Sequence, residues 1–167
     1  MRALLTFLLL LLTLQAGGVF ADDLTAQRLF HIERNHNANI VVYDALVLPS
    51  GDLPEKDPVE VYWVRLAEEG QRKKLKGIEK KLAYGFKVES REGNRLMLDM
   101  VADVGRTVEV GLHDDVYRAF MTIDGHRALL DRIYIFAEGS FKPKVKYLEL
   151  FGVDVETGGD LYEKLEP

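Results

Sequence analysis

Apolar residues alternate with polar ones along most of the chain, and many of the apolar residues are β-branched or aromatic. Alternation is typical of strands, because successive side chains of a strand point to opposite faces of a sheet. In YRAFMTI, residues 117–123, every second side chain from Tyr117 to Ile123 is apolar, and Arg118 and Thr122 fall in the other row. The pattern predicts nine strands, near residues 28–34, 38–48, 58–67, 84–91, 95–102, 106–112, 115–124, 127–137 and 144–153.

Short polar segments separate the predicted strands from residue 84 onward. GluGlyAsn at 92–94 and AspGlyHis at 124–126 supply the positive-φ positions that tight hairpin turns need. HisAspAsp at 113–115 leaves room only for another tight reversal. Because short connections join strands that are neighbours in space, the last six predicted strands should form an antiparallel meander. Pro143 is compatible with the first position of the final strand.

One segment departs from this alternation. Leu75, Ile78 and Leu82 are spaced by three and four residues, and Gly85 follows as a stop signal, so we predict a short helix between the third and fourth strands. In the third strand, VEVYWVRLA, apolar residues occupy both faces, which is typical of a strand covered on both sides. These features predict an all-β fold: an antiparallel β-sandwich or flattened barrel of about eight to nine strands with one short helix.

The first 21 residues have a different character. Arg2 precedes an apolar run at 3–14, which is shorter than the roughly 20 residues that cross a bilayer. Val19 and Ala21 match the positions of a signal peptidase site, so we expect a signal peptide cleaved after Ala21 and export to the periplasm or the medium. An uncleaved anchor is the alternative. Residues 22–167 should then form a single β domain without a transmembrane segment, loosely held after Asp154.

The composition excludes several classes of site. The chain has no cysteine, which rules out disulfides, a lipoprotein anchor, cysteine nucleophiles, thiolate zinc sites and iron–sulfur clusters. The formal net charge is −5, and an acidic surface argues against nucleic acid as a partner. No glycine-rich phosphate loop, dinucleotide fingerprint or EF-hand loop is present in the sequence, so no cofactor is expected.

Two histidines, a glutamate and three asparagines lie together in HIERNHNAN, residues 31–39. On a strand, His31 and Glu33 share one face, where they could ligate a metal ion with His36 as a third ligand. Asparagine is favoured in turns, however, and the His spacing of five does not match the helical zinc motif. A polar hairpin tip is therefore the preferred interpretation, and a metal site is the alternative.

His113 precedes Asp114 and Asp115, an arrangement that could supply a general base with its orienting carboxylate. The serines after the leader, none within a nucleophile motif, are Ser50, Ser90 and Ser140. Because aspartate is also a favoured turn residue, a hairpin tip is the preferred interpretation for His113. The same applies to His126, which follows an AspGly turn.

Two further clusters are candidate binding residues. The basic residues of QRKKLKGIEKK, which could contact anionic lipid or an acidic partner, are Arg72, Lys73, Lys74, Lys76, Lys80 and Lys81. A solvated helix face is the simpler interpretation of this run. The aromatic residues of the first half that suit a ligand cavity, and equally a core, are Tyr43, Tyr62 and Trp63.

The segments LFHIERNHNANIVVYDA, DPVEVYWVRLAEEG, GIEKKLAYGFKV and YLELFGVDVETGG resemble an uncharacterised family of exported, mostly bacterial proteins, domain of unknown function 4833. The likeness covers nearly the whole chain after the leader. It implies a single small exported domain, and it supplies no catalytic residue, substrate or cofactor.

The sequence therefore predicts a non-catalytic exported β domain that binds a small molecule, a lipid or a protein partner in the cell envelope. Its concave face or the loops at its strand ends would hold that partner. A metal-dependent or His/Asp-based hydrolase, built on His31, Glu33 and His36 or on His113, is the alternative. A structural subunit that docks by its basic helix is a third hypothesis.

Overall fold

The computed structural model describes residues 24–101, 105–139 and 144–166. Within these residues the strands are β1 Thr25–Arg34, β2 Asn37–Val47, β3 Val59–Arg65, β4 Gln71–Lys74, β5 Phe86–Glu92, β6 Arg95–Met100, β7 Val108–His113, β8 Val116–Ile123, β9 His126–Glu138, β10 Lys144–Asp154 and β11 Asp160–Leu165. A 3₁₀ turn, Leu66–Glu68, follows β3. Helix α1, Gly77–Glu79, continues directly into a π-helical turn, Lys80–Tyr84. The leader with its expected cleavage site, Ser140 and Pro143 lie outside the described residues.

All the described strands belong to one curled sheet, a half-barrel. Its main path runs β4-β3-β2-β1-β9-β8-β7-β6-β5, and β10 pairs with both β9 and β11. Strand β9 is long enough to pair with β8 through residues 126–129 and with β1 through residues 132–135. The sheet therefore forks at β9 into an arm of β1–β4 and an arm of β8–β5.

The structure confirms the all-β class and the antiparallel meander from β5 to β10. A purely antiparallel sandwich or flattened barrel is wrong, because β1 runs parallel to β9 and the sheet is mixed. This pairing joins segments about 100 residues apart in sequence, for example His31 with Arg132. Alternation assigns side chains to the two faces of a strand but does not specify which strands are its neighbours. The sequence pattern therefore could not show the parallel pairing of β1 with β9.

The sequence pattern did not predict β4 and β11. Strand β4 consists of Gln, Arg and two Lys, so it has no apolar row, and it is held by backbone pairing to β3. Its presence places the helix between β4 and β5 rather than between the third and fourth strands. Strand β11 pairs with β10 from Asp160 to Leu165, where a loosely held tail was expected.

The hydrophobic core lies on the inner face of the curl and draws on both arms. Phe30 of β1 and Tyr43 of β2 stack with ring centroids 4.3 Å apart. Leu96 of β6 and Tyr117 of β8 are also buried in this cluster. Among the described residues, no helix is long and apolar enough to span a membrane. On β2, the inward-facing residues from Val41 to Val47 are apolar, whereas Asn37 and Asn39 at the start of the strand are polar. This polar end of the inner face holds the candidate site.

Candidate functional site

A cleft of about 180 Å³ opens at the polar end of the inner face. Its lining residues come from β2, β3, β4 and the segment that begins the helix: Asn37, Asn39, Trp63, Arg65, Lys73, Lys76 and Glu79. Strand register brings the first five together. Val41 pairs with Trp63, and Trp63 pairs with Lys73, so these side chains share one face of the sheet.

Trp63 separates the cleft from the core. Its indole packs edge-on against the Tyr84 ring, with centroids 5.1 Å apart, and contacts the buried cluster. Burial raises the pKa of the Tyr84 hydroxyl, so that group is neutral at physiological pH. Trp63 therefore gives the cleft an apolar wall beside otherwise polar side chains.

The two asparagines of the cleft are held by a local hydrogen bond. The Asn39 backbone N–H donates to the Asn37 side-chain oxygen at 3.0 Å. The Asn39 Oδ1 atom is buried and, within the described residues, has no hydrogen-bond partner. A buried oxygen without a partner is uncommon in folded proteins, and here it belongs to a residue that lines a cleft.

Positive charges outnumber negative charges in the cleft. Arg65 is paired with Glu68 at 2.6 Å, and the Glu79 carboxylate accepts a hydrogen bond from the Lys76 backbone N–H at 2.7 Å. In the described part of the chain, the ammonium groups of Lys73 and Lys76 have no ion pair. These two groups can therefore donate charge-assisted hydrogen bonds to a carboxylate or phosphate.

Of the three aromatic candidates, Trp63 alone lines the cleft. Tyr43 is buried in the core, where its hydroxyl donates to the Tyr84 carbonyl at 2.8 Å, and burial raises its pKa. Tyr62 lies on the opposite face of β3, because consecutive strand residues point in opposite directions. Its hydroxyl donates to Asp44 at 2.6 Å, and Arg72 lies 3.7 Å from its ring centroid.

The structure divides the predicted basic patch. Arg72 lies on the outer face, where it pairs with Glu60 at 2.9 Å, and Lys74 shares that face as the partner of Tyr62. Lys73 points to the inner face and lines the cleft with Lys76. Lys80 and Lys81 are exposed on the helix. Only two of the six residues therefore belong to the cleft.

The histidines do not converge. His31 Nε2 lies 3.1 Å from Glu33 Oε1, whereas His36 is exposed in the β1–β2 turn. His113 Nε2 is 3.6 Å from Asp114, at a hairpin turn where Asp114 and Asp115 have φ of 49° and 62°. In the described ranges, no three His, Asp or Glu side chains are arranged to hold a metal ion. The geometry therefore adds no support to the hydrolase alternative.

Sequence reasoning missed Asn37, Asn39, Arg65 and Glu79 as lining residues. The asparagines were interpreted as turn formers, yet Asn37 and Asn39 lie four and two residues before Val41, which places them in the inner row of β2. The outer face of β9–β11, here called the aromatic face, was also missed, and its members are Tyr134, Phe136, Tyr147, Phe151 and Tyr162. The sequence signal for this face was that Tyr134 and Phe136 alternate with the buried residues Ile133 and Ile135 on β9.

The rings of the aromatic face are partly covered. Phe136 and Tyr147 stack with centroids 4.8 Å apart. Arg132 lies 3.8 Å from the Phe151 ring centroid, and the Lys164 ammonium lies 4.0 Å from that of Tyr147. Arg132 and Lys164 therefore already form cation–π contacts with two of these rings. The aromatic face offers fewer unpartnered groups to a ligand than the cleft does.

A family model, described as Domain of unknown function (DUF4833), matches residues 30–164. The match extends from β1 to β11 and includes every residue that lines the cleft. No curated protein and no solved structure matches the chain.

Proposed function

The chain belongs to the DUF4833 family, and we propose that it is an exported, non-catalytic β domain that binds a small anionic molecule in the cleft around Trp63. The convergence of Lys73, Lys76 and two asparagine side chains on one apolar wall carries this proposal. Binding sites of this kind combine an apolar surface with a few polar groups that fix the orientation of the ligand.

The size and charge of the cleft define the ligand class. A volume of about 180 Å³ is below the roughly 300–1,000 Å³ of sites for drug-sized ligands. It suits a small molecule that carries one phosphate or carboxylate group. Lys73 and Lys76 would contact the anionic group, while Trp63 would pack against the non-polar part of the ligand.

Export is part of the proposal. The apolar leader and the small residues Val19 and Ala21 support a periplasmic or secreted location after cleavage following Ala21. In that compartment the domain would meet small envelope metabolites rather than nucleic acid.

Intrinsic fluorescence tests the cleft directly, because Trp63 is the only tryptophan of the chain. We expect inorganic phosphate, or a member of a panel of phosphate monoesters and small dicarboxylates, to change the Trp63 emission in a saturable manner. Lys73→Gln and Lys76→Gln should each weaken binding about tenfold, since each removes a hydrogen bond to a charged group.

Lys144→Gln is the matched control, because it removes the same charge from an exposed position on β10 that does not line the cleft. Its binding should equal that of the unmodified protein. An emission that no anion in the panel changes, or an equal loss of affinity in the control, would show the proposal to be wrong.

A further inference from the structure

The helix of residues 77–84 presents an apolar pair to solvent. Ile78 is 60% exposed and Leu82 is 69% exposed, the largest values among the large apolar residues that the structure describes. They are four residues apart and therefore lie on one side of the helix. Of the three residues whose spacing predicted the helix, only Leu75, which precedes the helix, is buried.

The helix ends in a π-helical turn whose last residues contact the core. The Gly85 backbone N–H donates to the Lys80 carbonyl at 2.8 Å, a bond across five residues. The side chains that the helix packs against the core are Ala83 and Tyr84, next to Leu82 in sequence. With these two residues turned inward, Ile78 and Leu82 remain outside.

In the sequence, lysines precede Ile78 and lie between Ile78 and Leu82. Five exposed lysines lie within nine residues: Lys73, Lys74, Lys76, Lys80 and Lys81. No carboxylate in the described part of the chain forms an ion pair with any of them. Lys80 and Lys81 lie between Ile78 and Leu82 along the helix. The chain as a whole is acidic, with a formal net charge of −5, so this basic surface is a local exception.

We propose that this helix docks on an anionic lipid bilayer, with Ile78 and Leu82 inserted among the headgroups and the lysines in contact with lipid phosphates. Charge complementarity favours this partner, because clustered lysines next to an apolar helix side are typical of interfacial binding to anionic membranes. Two apolar side chains are too few for the core of a stable protein interface, which buries about 800 Å² on each side.

The test of this proposal is separate from the anion cleft, because Ile78, Leu82, Lys80 and Lys81 do not line that cleft. The absence of cysteine allows one labelled cysteine to report one position. The experiment uses the chain from Asp22 onward, which contains all the described strands and the whole described core. Leu82→Cys carries an environment-sensitive fluorophore, and vesicles of equal parts phosphatidylglycerol and phosphatidylcholine are added.

We expect the fluorophore at position 82 to shift its emission to the blue with these vesicles and to remain unchanged with pure phosphatidylcholine. Leu112→Cys is the matched control, because Leu112 is 53% exposed on β7, which is not a neighbour of β4 in the sheet. It should show no shift. An unchanged emission at position 82 with anionic vesicles, or equal shifts at both positions, would overturn the proposal.

A second arm tests the charges in the Leu82→Cys background. Replacing Lys80 and Lys81 with Gln should raise the vesicle concentration at half-maximal shift about thirtyfold, as expected for two basic residues near an anionic surface. The same replacements at Lys56 and Lys144, both exposed, should leave it unchanged. A shift induced by soluble polyglutamate but not by vesicles would identify an acidic protein partner and overturn the lipid proposal.

Discussion

Glu109 on β7 shows how the fold holds a charge with little access to solvent. Arg95 lies 2.5 Å from its carboxylate and Arg127 lies 2.9 Å away. Burial by itself would raise the pKa of this carboxyl, but the hydrogen bonds from Arg127 and Arg95 outweigh burial and lower the pKa to about 2. The guanidinium of Arg127 also lies 4.3 Å from the Phe120 ring centroid. One carboxylate therefore connects β6, β7 and β9.

The lowered pKa gives the stability a pH dependence. Because the folded pKa of about 2 is below the ordinary value of 4.5, Glu109 stabilises the protein above about pH 4.5. This contribution is lost as the pH falls towards 2. We expect Glu109→Gln to lower the free energy of unfolding at pH 7 by about 1–3 kcal/mol, with a smaller difference from the unmodified protein at pH 3.

Urea unfolding at both pH values measures the two differences. Glu89→Gln is the matched control, since Glu89 is exposed on β5 and should change the free energy of unfolding little at either pH. A difference between the Glu109→Gln variant and the unmodified protein that stays constant from pH 7 to pH 3 would contradict the assigned ion pairs.

At the scale of elements, the backbone of strand β10 lies unusually close to β9 and β8 at Gly152. A Cβ atom at this position would lie 2.5 Å from the Leu129 carbonyl oxygen and 2.8 Å from the Ile123 side chain. The register of β10 against β9 is also irregular between Phe151 and Gly152. Glycine at this position therefore lets β10 pack closely against β9 and the last residue of β8.

We expect Gly152→Ala to destabilise the protein by about 1–3 kcal/mol, as for an overpacked core. Gly77→Ala is the control, because a Cβ atom at Gly77 meets nothing within 4 Å. Alanine is also the better helix former, so this change should be neutral or stabilising by about 0.5–1 kcal/mol. Thermal unfolding compares the two variants, and a Gly152→Ala protein as stable as the unmodified one would contradict the close approach.

For the helix, the sequence predicted its presence and its end but not which of its side chains are buried. Spacings of three and four residues correctly predicted a helix that ends before Gly85. Two of the residues that define this spacing, Ile78 and Leu82, are exposed in the structure. Apolar periodicity identifies a side of a helix, but whether that side is covered depends on the packing of the rest of the chain. Here Ala83 and Tyr84 make the core contact.

For the whole molecule, alternation and turn residues were sufficient for the meander, because each of its hairpins is local. They were not sufficient for β4, which has no apolar row, or for the parallel pairing of β1 with β9. The cleft depends on the pairing of β2, β3 and β4, so its composition could not be assembled from the sequence. Trp63 was identified as a candidate, whereas Asn39 was not, because its residue type also suits a turn.

The central claim is that the polar end of the inner face binds a small anion. A titration of isotope-labelled protein with inorganic phosphate, followed by proton–nitrogen correlation spectra, tests this claim most directly. We expect shifts confined to the Trp63 indole and the amides of residues 37–39, 63–65 and 73–79. The absence of shifts, or shifts that occur only on the aromatic face of β9–β11, would contradict it.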